Sequence, residues 1–294
     1  MRSRSRMAAQ LMGRPLGGAI KHGADFRHAG HNSICAIITG ANVFVRFVSK
    51  GATMPMGMPL LVHPLAATIR WFFGLSLIMV VLKVGADLLA FPGVVSAAGV
   101  PALIYLGLFA VALFLYAGFA LVWVRDAAAQ TITLQQGTVW GCVCGAAWII
   151  ELSVANLGWL VPHLGGLFGL LYTGSASLGF VLPGVAGLWA AWQARQLRAG
   201  IKAGLLCGML ASLVMFLTYS ALSVLLLQVG QHDPQIVREF QRSGLTDLST
   251  YIVGDYLAAM IAHLWMGLLT GVGFGALGSS LGLGFVNMVR DRAR

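Results

Sequence analysis

From Trp71 onward the chain divides into six apolar runs, approximately 71–91, 102–124, 138–158, 167–192, 203–228 and 256–280. Each is long enough to cross a hydrocarbon layer about 30 Å thick, which takes about 20 helical residues. Inside lipid the backbone finds no water to bond, so such a run must satisfy its own amides as a helix. Composition points the same way. Charged residues make up 10% of the 294 positions, against about 25% in soluble domains, and the mean hydropathy is +0.83. The expected fold is an all-α, polytopic transmembrane bundle of six helices embedded in the lipid bilayer, and the expected location is the cell (plasma or inner) membrane.

Lys and Arg in short loops predict the sidedness. Arg70, Arg125, the group Arg195, Arg198 and Lys202, and the tail residues Arg290, Arg292 and Arg294 fall on one side if the six runs alternate. Loops 92–101 and 159–166 hold no Lys or Arg, and the long loop 229–255 sets two arginines against four acids. Both termini are therefore expected on the cytoplasmic side, with 229–255 outside. In that loop Asp233-Pro234 predicts a helix start, a capping carboxylate followed by proline at the first helical position.

Residues 1–69 read as a basic, poorly ordered or interfacial arm ahead of a membrane domain at 70–294. Residues 1–50 carry eight Lys or Arg and one acid, Asp25, whereas the remainder has eleven against eight. An excess confined to one end fits an arm on anionic lipid better than a folded surface for nucleic acid, which is not an expected partner. The first 53 residues fit a transit segment, a disordered tail or translation upstream of the true start equally well. His22, His28, His31 and Cys35 have the chemistry of metal ligands but no framework to fix them, so no metal and no cofactor is expected. Cys142 and Cys144 lack the spacing of a zinc or redox motif.

Three runs carry glycine at every fourth position: Gly137, Gly141 and Gly145; Gly200, Gly204 and Gly208; Gly267, Gly271 and Gly275. Between lipid-embedded helices close backbone approach at small residues replaces the hydrophobic effect as the source of cohesion. These nine are the expected helix-packing residues, either within one chain or at the interface with a second copy or a membrane partner subunit. The stretch 134–145 aligns without gaps on 197–208, including Cys144 over Cys207. A duplicated hairpin, 134–192 and 197–289, and chance likeness between glycine-rich helices account for this equally well. Pro183, inside the fourth run, predicts a helix kink.

Five ionisable residues stand inside or at the edge of the runs: Lys83, Asp87, Glu151, Asp255 and His263. An ionisable group at the bilayer centre costs at least about 2.5–3.5 kcal/mol, so each should face protein or water and have a partner. Lys83 and Asp87 can pair within one helix; Lys83 is also the one cation at the depth of Glu151, which makes a Lys83–Glu151 pair the expected contact between helices. No Walker loop, HExxH or GxSxG motif and no aspartate dyad is present, so no catalytic residue is assigned and an enzyme is not expected. Two functions remain. One is transport or permeation of a small solute, ion or proton through an outward polar vestibule formed by the five residues. The other is a non-catalytic scaffold or partner subunit assembled through glycine faces.

Overall fold

A computed structural model describes residues 62–98, 100–124 and 131–292. The arm expectations, including the histidines at 22, 28 and 31 and Cys35, lie outside the described residues. Those residues form eight α-helices and no strand: α1 (Val62–Ala90), α2 (Gly93–Ala98), α3 (Val100–Gly118), α4 (Thr131–Leu157), α5 (Gly165–Ala194), α6 (Leu197–Gly230), α7 (Pro234–Ser243) and α8 (Leu248–Arg292). Helix α3 continues into a π-helical turn, Phe119–Trp123. Six of these helices are long and apolar enough to cross a membrane, so the chain is an all-α, six-span membrane protein. The apolar windows fell short of the helices themselves: the span expected at 256–280 is Leu248–Met288, and that at 203–228 is Leu197–Gly230.

Helices α4, α5, α6 and α8 form the tight part of the bundle. Helix α6 lies against α4, α5 and α8, and α8 packs along both α5 and α6. Helices α1 and α3 cover this group from outside, α1 mainly on α6 and α3 on α8. Their outer faces, with Leu75, Ile78, Leu82, Phe114 and Leu121, remain exposed, as lipid-facing helices require.

The glycines explain why the inner helices approach so closely. A methyl group on Gly204 would lie 2.5 Å from the Cα of Gly275, and one on Gly271 would lie 2.9 Å from the Cα of Leu205. Gly208 and Gly267 likewise face each other's backbone, and Gly200 faces Gly187 of α5 and Ser279 of α8. Gly137, Gly141 and Gly145 of α4 mainly receive side chains from α6, Leu206, Leu210 and Val214, with the Ala203 carbonyl also close to Gly137. The two aligned glycine stretches thus serve different contacts.

Hydrogen bonds between helices end on backbone carbonyls. Tyr116 of α3 donates to Leu264 O at 3.0 Å, Tyr256 of α8 to Leu226 O at 3.0 Å, and Ser212 of α6 to His263 O at 2.9 Å. Pro183 lies inside α5, where it cannot donate to the carbonyl four residues back, that of Gly179. The Cys144 thiol of α4 reaches that carbonyl at 3.7 Å. Cys144 is therefore more than the small apolar filler its position in the sequence implies.

The helix expected from Asp233-Pro234 is present as α7. Asp233 caps it through a bond from the Gln235 amide at 2.7 Å, and Gly244 closes it with φ 75°.

Candidate functional site

Helix directions place most of the chain's ionisable membrane residues in one half of the bundle. Glu151 is near the end of α4, Lys83 and Asp87 near the end of α1, and Asp255 and His263 in the first half of α8. The connection between α5 and α6, with Arg195 and Arg198, belongs to the opposite end. Lys202 there lies over the Trp123 ring at the end of α3, with its ammonium 4.8 Å from the ring centre.

Tyr219 of α6 stands at the centre of the polar half. It is 8% exposed, its ring centre lies 6.3 Å from that of His263 and 6.0 Å from that of Tyr256, and the Asn156 amide is within reach of its hydroxyl. Glu151 and Asp255 are both close enough to act on the Tyr219 hydroxyl electrostatically. Trp148, one turn before Glu151 on α4, is buried with its ring edge-on to His263 at 5.6 Å. Gly179 of α5 leaves the space that the Trp148 indole fills.

The chemistry of His263 follows from its partner. Its Nδ1 meets the Ala259 carbonyl at 2.7 Å, and a carbonyl only accepts, so Nδ1 carries a proton and, in the neutral ring, Nε2 presents a lone pair. No described residue hydrogen-bonds Nε2. Half-buried Glu151 likewise has neither a hydrogen bond nor an ion pair among the described residues.

The expected Lys83–Glu151 pair is not formed. Lys83 pairs with Asp87 one turn along its own helix, through both carboxylate oxygens. An i, i+4 pair is already in register when the helix forms, whereas a bond to α4 would have to hold two separate helices in place. Lys83 and Asp87 line a small cavity of about 110 Å³ together with Tyr219, Ser223 and Tyr256, room for about three waters at bulk density. Glu151 and His263 do not line it; Tyr219 joins the two groups. Asp255 opens elsewhere, on a larger cavity of about 360 Å³ between α1, α2, α3 and α8.

The structure therefore sorts the five expected residues into three places around one tyrosine. Where water bridges them, a carboxyl, a phenol and an imidazole can pass a proton or offer oxygen and nitrogen ligands to a cation. Tyr219, Trp148 and Asn156 escaped the sequence reading because neutral residues carry no insertion penalty large enough to mark them. Among the described residues no three of His, Cys, Asp and Glu come close enough together to hold a metal ion. No protein-family model, curated protein or solved structure matches the chain.

Proposed function

We propose that this membrane protein moves a proton or small cation through the polar half of the bundle, with Glu151 and His263 as the exchanging groups and Tyr219 between them. One observation carries the reading: Glu151 and Nε2 of His263 both lack a partner among the described residues, although they flank the same tyrosine. Ionisable groups left open in a membrane interior are expensive unless water or a passing ion meets them. The small cavity beside Lys83 and Asp87 supplies the outer vestibule. Both termini stay cytoplasmic in this reading, as the basic loops imply. The approach of Lys202 to Trp123 supports it, because it puts the end of α3 and the start of α6 at the same end of the bundle.

The test is flux in liposomes containing the purified protein, with a trapped pH indicator and an imposed gradient. Glu151→Gln should abolish the flux, and His263→Phe should reduce it about tenfold. A parent protein with no flux for protons or alkali cations, or a Glu151→Gln variant that conducts as well as the parent, rejects the proposal.

Assembly as a scaffold or partner subunit has one observation in its favour. The first half of α5 is exposed nearly all round, with Leu167, Leu170 and Leu171 outward and Gly165, Gly166, Gly169 and Gly174 facing open space. The nine glycines picked out in the sequence make contacts inside the chain, so a glycine zipper to a partner would use this segment instead. Cysteine cross-linking at Leu170 in native membranes tests it; formation of a linked dimer or a linked heterologous subunit supports assembly.

A further inference from the structure

The larger cavity has a chemistry of its own. It is about 360 Å³ in volume and lined by α1, α2, α3 and the first half of α8, with Ser243 and Leu245, at and just past the end of α7, contributing. That size falls within the range of small-molecule sites, which take most of their affinity from apolar walls and their orientation from a few polar groups. Val84 and Ala258 are typical of the walls, and Tyr105 and Tyr251 bring two aromatic rings. Asp255 is the one charged residue of the lining; no Lys, Arg or His contributes.

Asp255 has no hydrogen bond or ion pair with a described residue. A second carboxylate acts on it from α7: Glu239 is near enough to influence both Asp255 and the Tyr251 hydroxyl electrostatically. Glu239 takes one hydrogen bond, from Gln235 at 2.9 Å, which leaves its charge in place. Neither Arg238 nor Arg242 forms an ion pair with these acids. The one charged group of the lining is therefore an acid with a second acid near it, and the rest of the lining is mostly apolar and aromatic.

We propose that this cavity binds a soluble organic ammonium ion with an apolar body, of the arylalkylamine class. The ammonium sits at Asp255, within reach of the field of Glu239, and the apolar part lies between Tyr105 and Tyr251. The two tyrosines supply aromatic rings for the body of the ligand to pack on. An anion of the same shape would meet two unneutralised carboxylates, and a neutral alcohol would gain only the apolar part. The site is separate from the Glu151–His263 seam and stands whether or not that seam conducts.

The experiment is equilibrium binding of tritiated 2-phenylethylamine to the protein in phosphatidylcholine nanodiscs, with empty discs subtracted, in competition with 2-phenylethanol and 3-phenylpropanoate. The amine should bind about tenfold more tightly than the alcohol, a difference of about 1.4 kcal/mol, and the carboxylate should not compete. Asp255→Asn should bring the amine down to the level of the alcohol. Ala258→Phe, which fills the cavity, should remove binding of both. Glu239→Gln, on an exposed helix where folding is not at stake, should weaken the amine two- to threefold. Equal binding of amine and alcohol by the parent protein overturns the proposal. So does amine binding that survives Ala258→Phe, which would mark simple partition into lipid.

Discussion

The Cys144 thiol lies 3.7 Å from the carbonyl oxygen of Gly179, the acceptor that Pro183 leaves without a helical donor. A backbone acceptor left open by proline in one helix is thus met by a side chain of its neighbour, as membrane interiors require where no water can substitute. Cys144→Ala should lower stability by about 1 kcal/mol, the usual worth of a hydrogen bond. In the Pro183→Ala background, where the backbone donor returns, the same change should cost much less. Unfolding in mixed micelles of the four proteins measures the coupling, and strict additivity would show that the thiol does nothing for Gly179.

Glycines that look alike in sequence should differ sharply on substitution. Gly204→Ala brings a methyl against the Gly275 backbone, so it should destabilise by about 1–3 kcal/mol as the helices are forced apart. Gly85→Ala on α1 meets nothing within 4 Å and should be neutral or gain about 0.5–1 kcal/mol from helix propensity. Thermal denaturation in one detergent, comparing the two, checks both signs.

The ion pair of Lys83 and Asp87 should behave as a unit. Removing one member leaves an uncompensated charge against lipid, so Lys83→Met and Asp87→Leu should each destabilise more than the double variant. The coupling energy should reach at least about 1 kcal/mol. If the double variant is as unstable as the sum of the singles, the contact contributes nothing.

Asp247 sets a pH dependence outside the membrane. It caps the start of α8, accepting from the Thr250 hydroxyl at 2.5 Å and from the Thr250 and Ser249 amides at 2.9 and 3.2 Å. The Thr250 hydroxyl first, then its amide, hold the carboxyl below the ordinary aspartate value. A depressed value stabilises the fold above the unfolded pKa of about 3.9, and that stability is lost as pH falls through the folded value. Asp247→Ala should therefore cost about 0.5–2 kcal/mol at pH 7. The gap between parent and variant should close below about pH 4. A constant gap from pH 7 to pH 3 would remove the cap from the account.

The number of spans and the class of fold were legible because hydrocarbon imposes a length and an apolar content on anything that crosses it. The cap at Asp233 was legible because proline after aspartate leaves the backbone few choices. Pairing was not. Nothing in the spacing of Gly137 says that it receives Leu206, while Gly204 meets backbone; that depends on which helices become neighbours. The search for charges found Glu151 and His263 but passed over Tyr219, which links them, because a phenol costs lipid little. The Lys83–Glu151 expectation failed for the opposite reason: depth was matched and the nearer partner on the same helix was underweighted.

Where Gly204 and Gly208 of α6 meet Gly267, Gly271 and Gly275 of α8 through main chain, no layer of side chains stands between the helices whose rotamers could flip to let one slide past the other. That seam behaves as a rigid spine. Helices α1 and α3 instead ride on it through aromatic and aliphatic side chains and a few hydrogen bonds, and the larger cavity opens among them, α2 and α8.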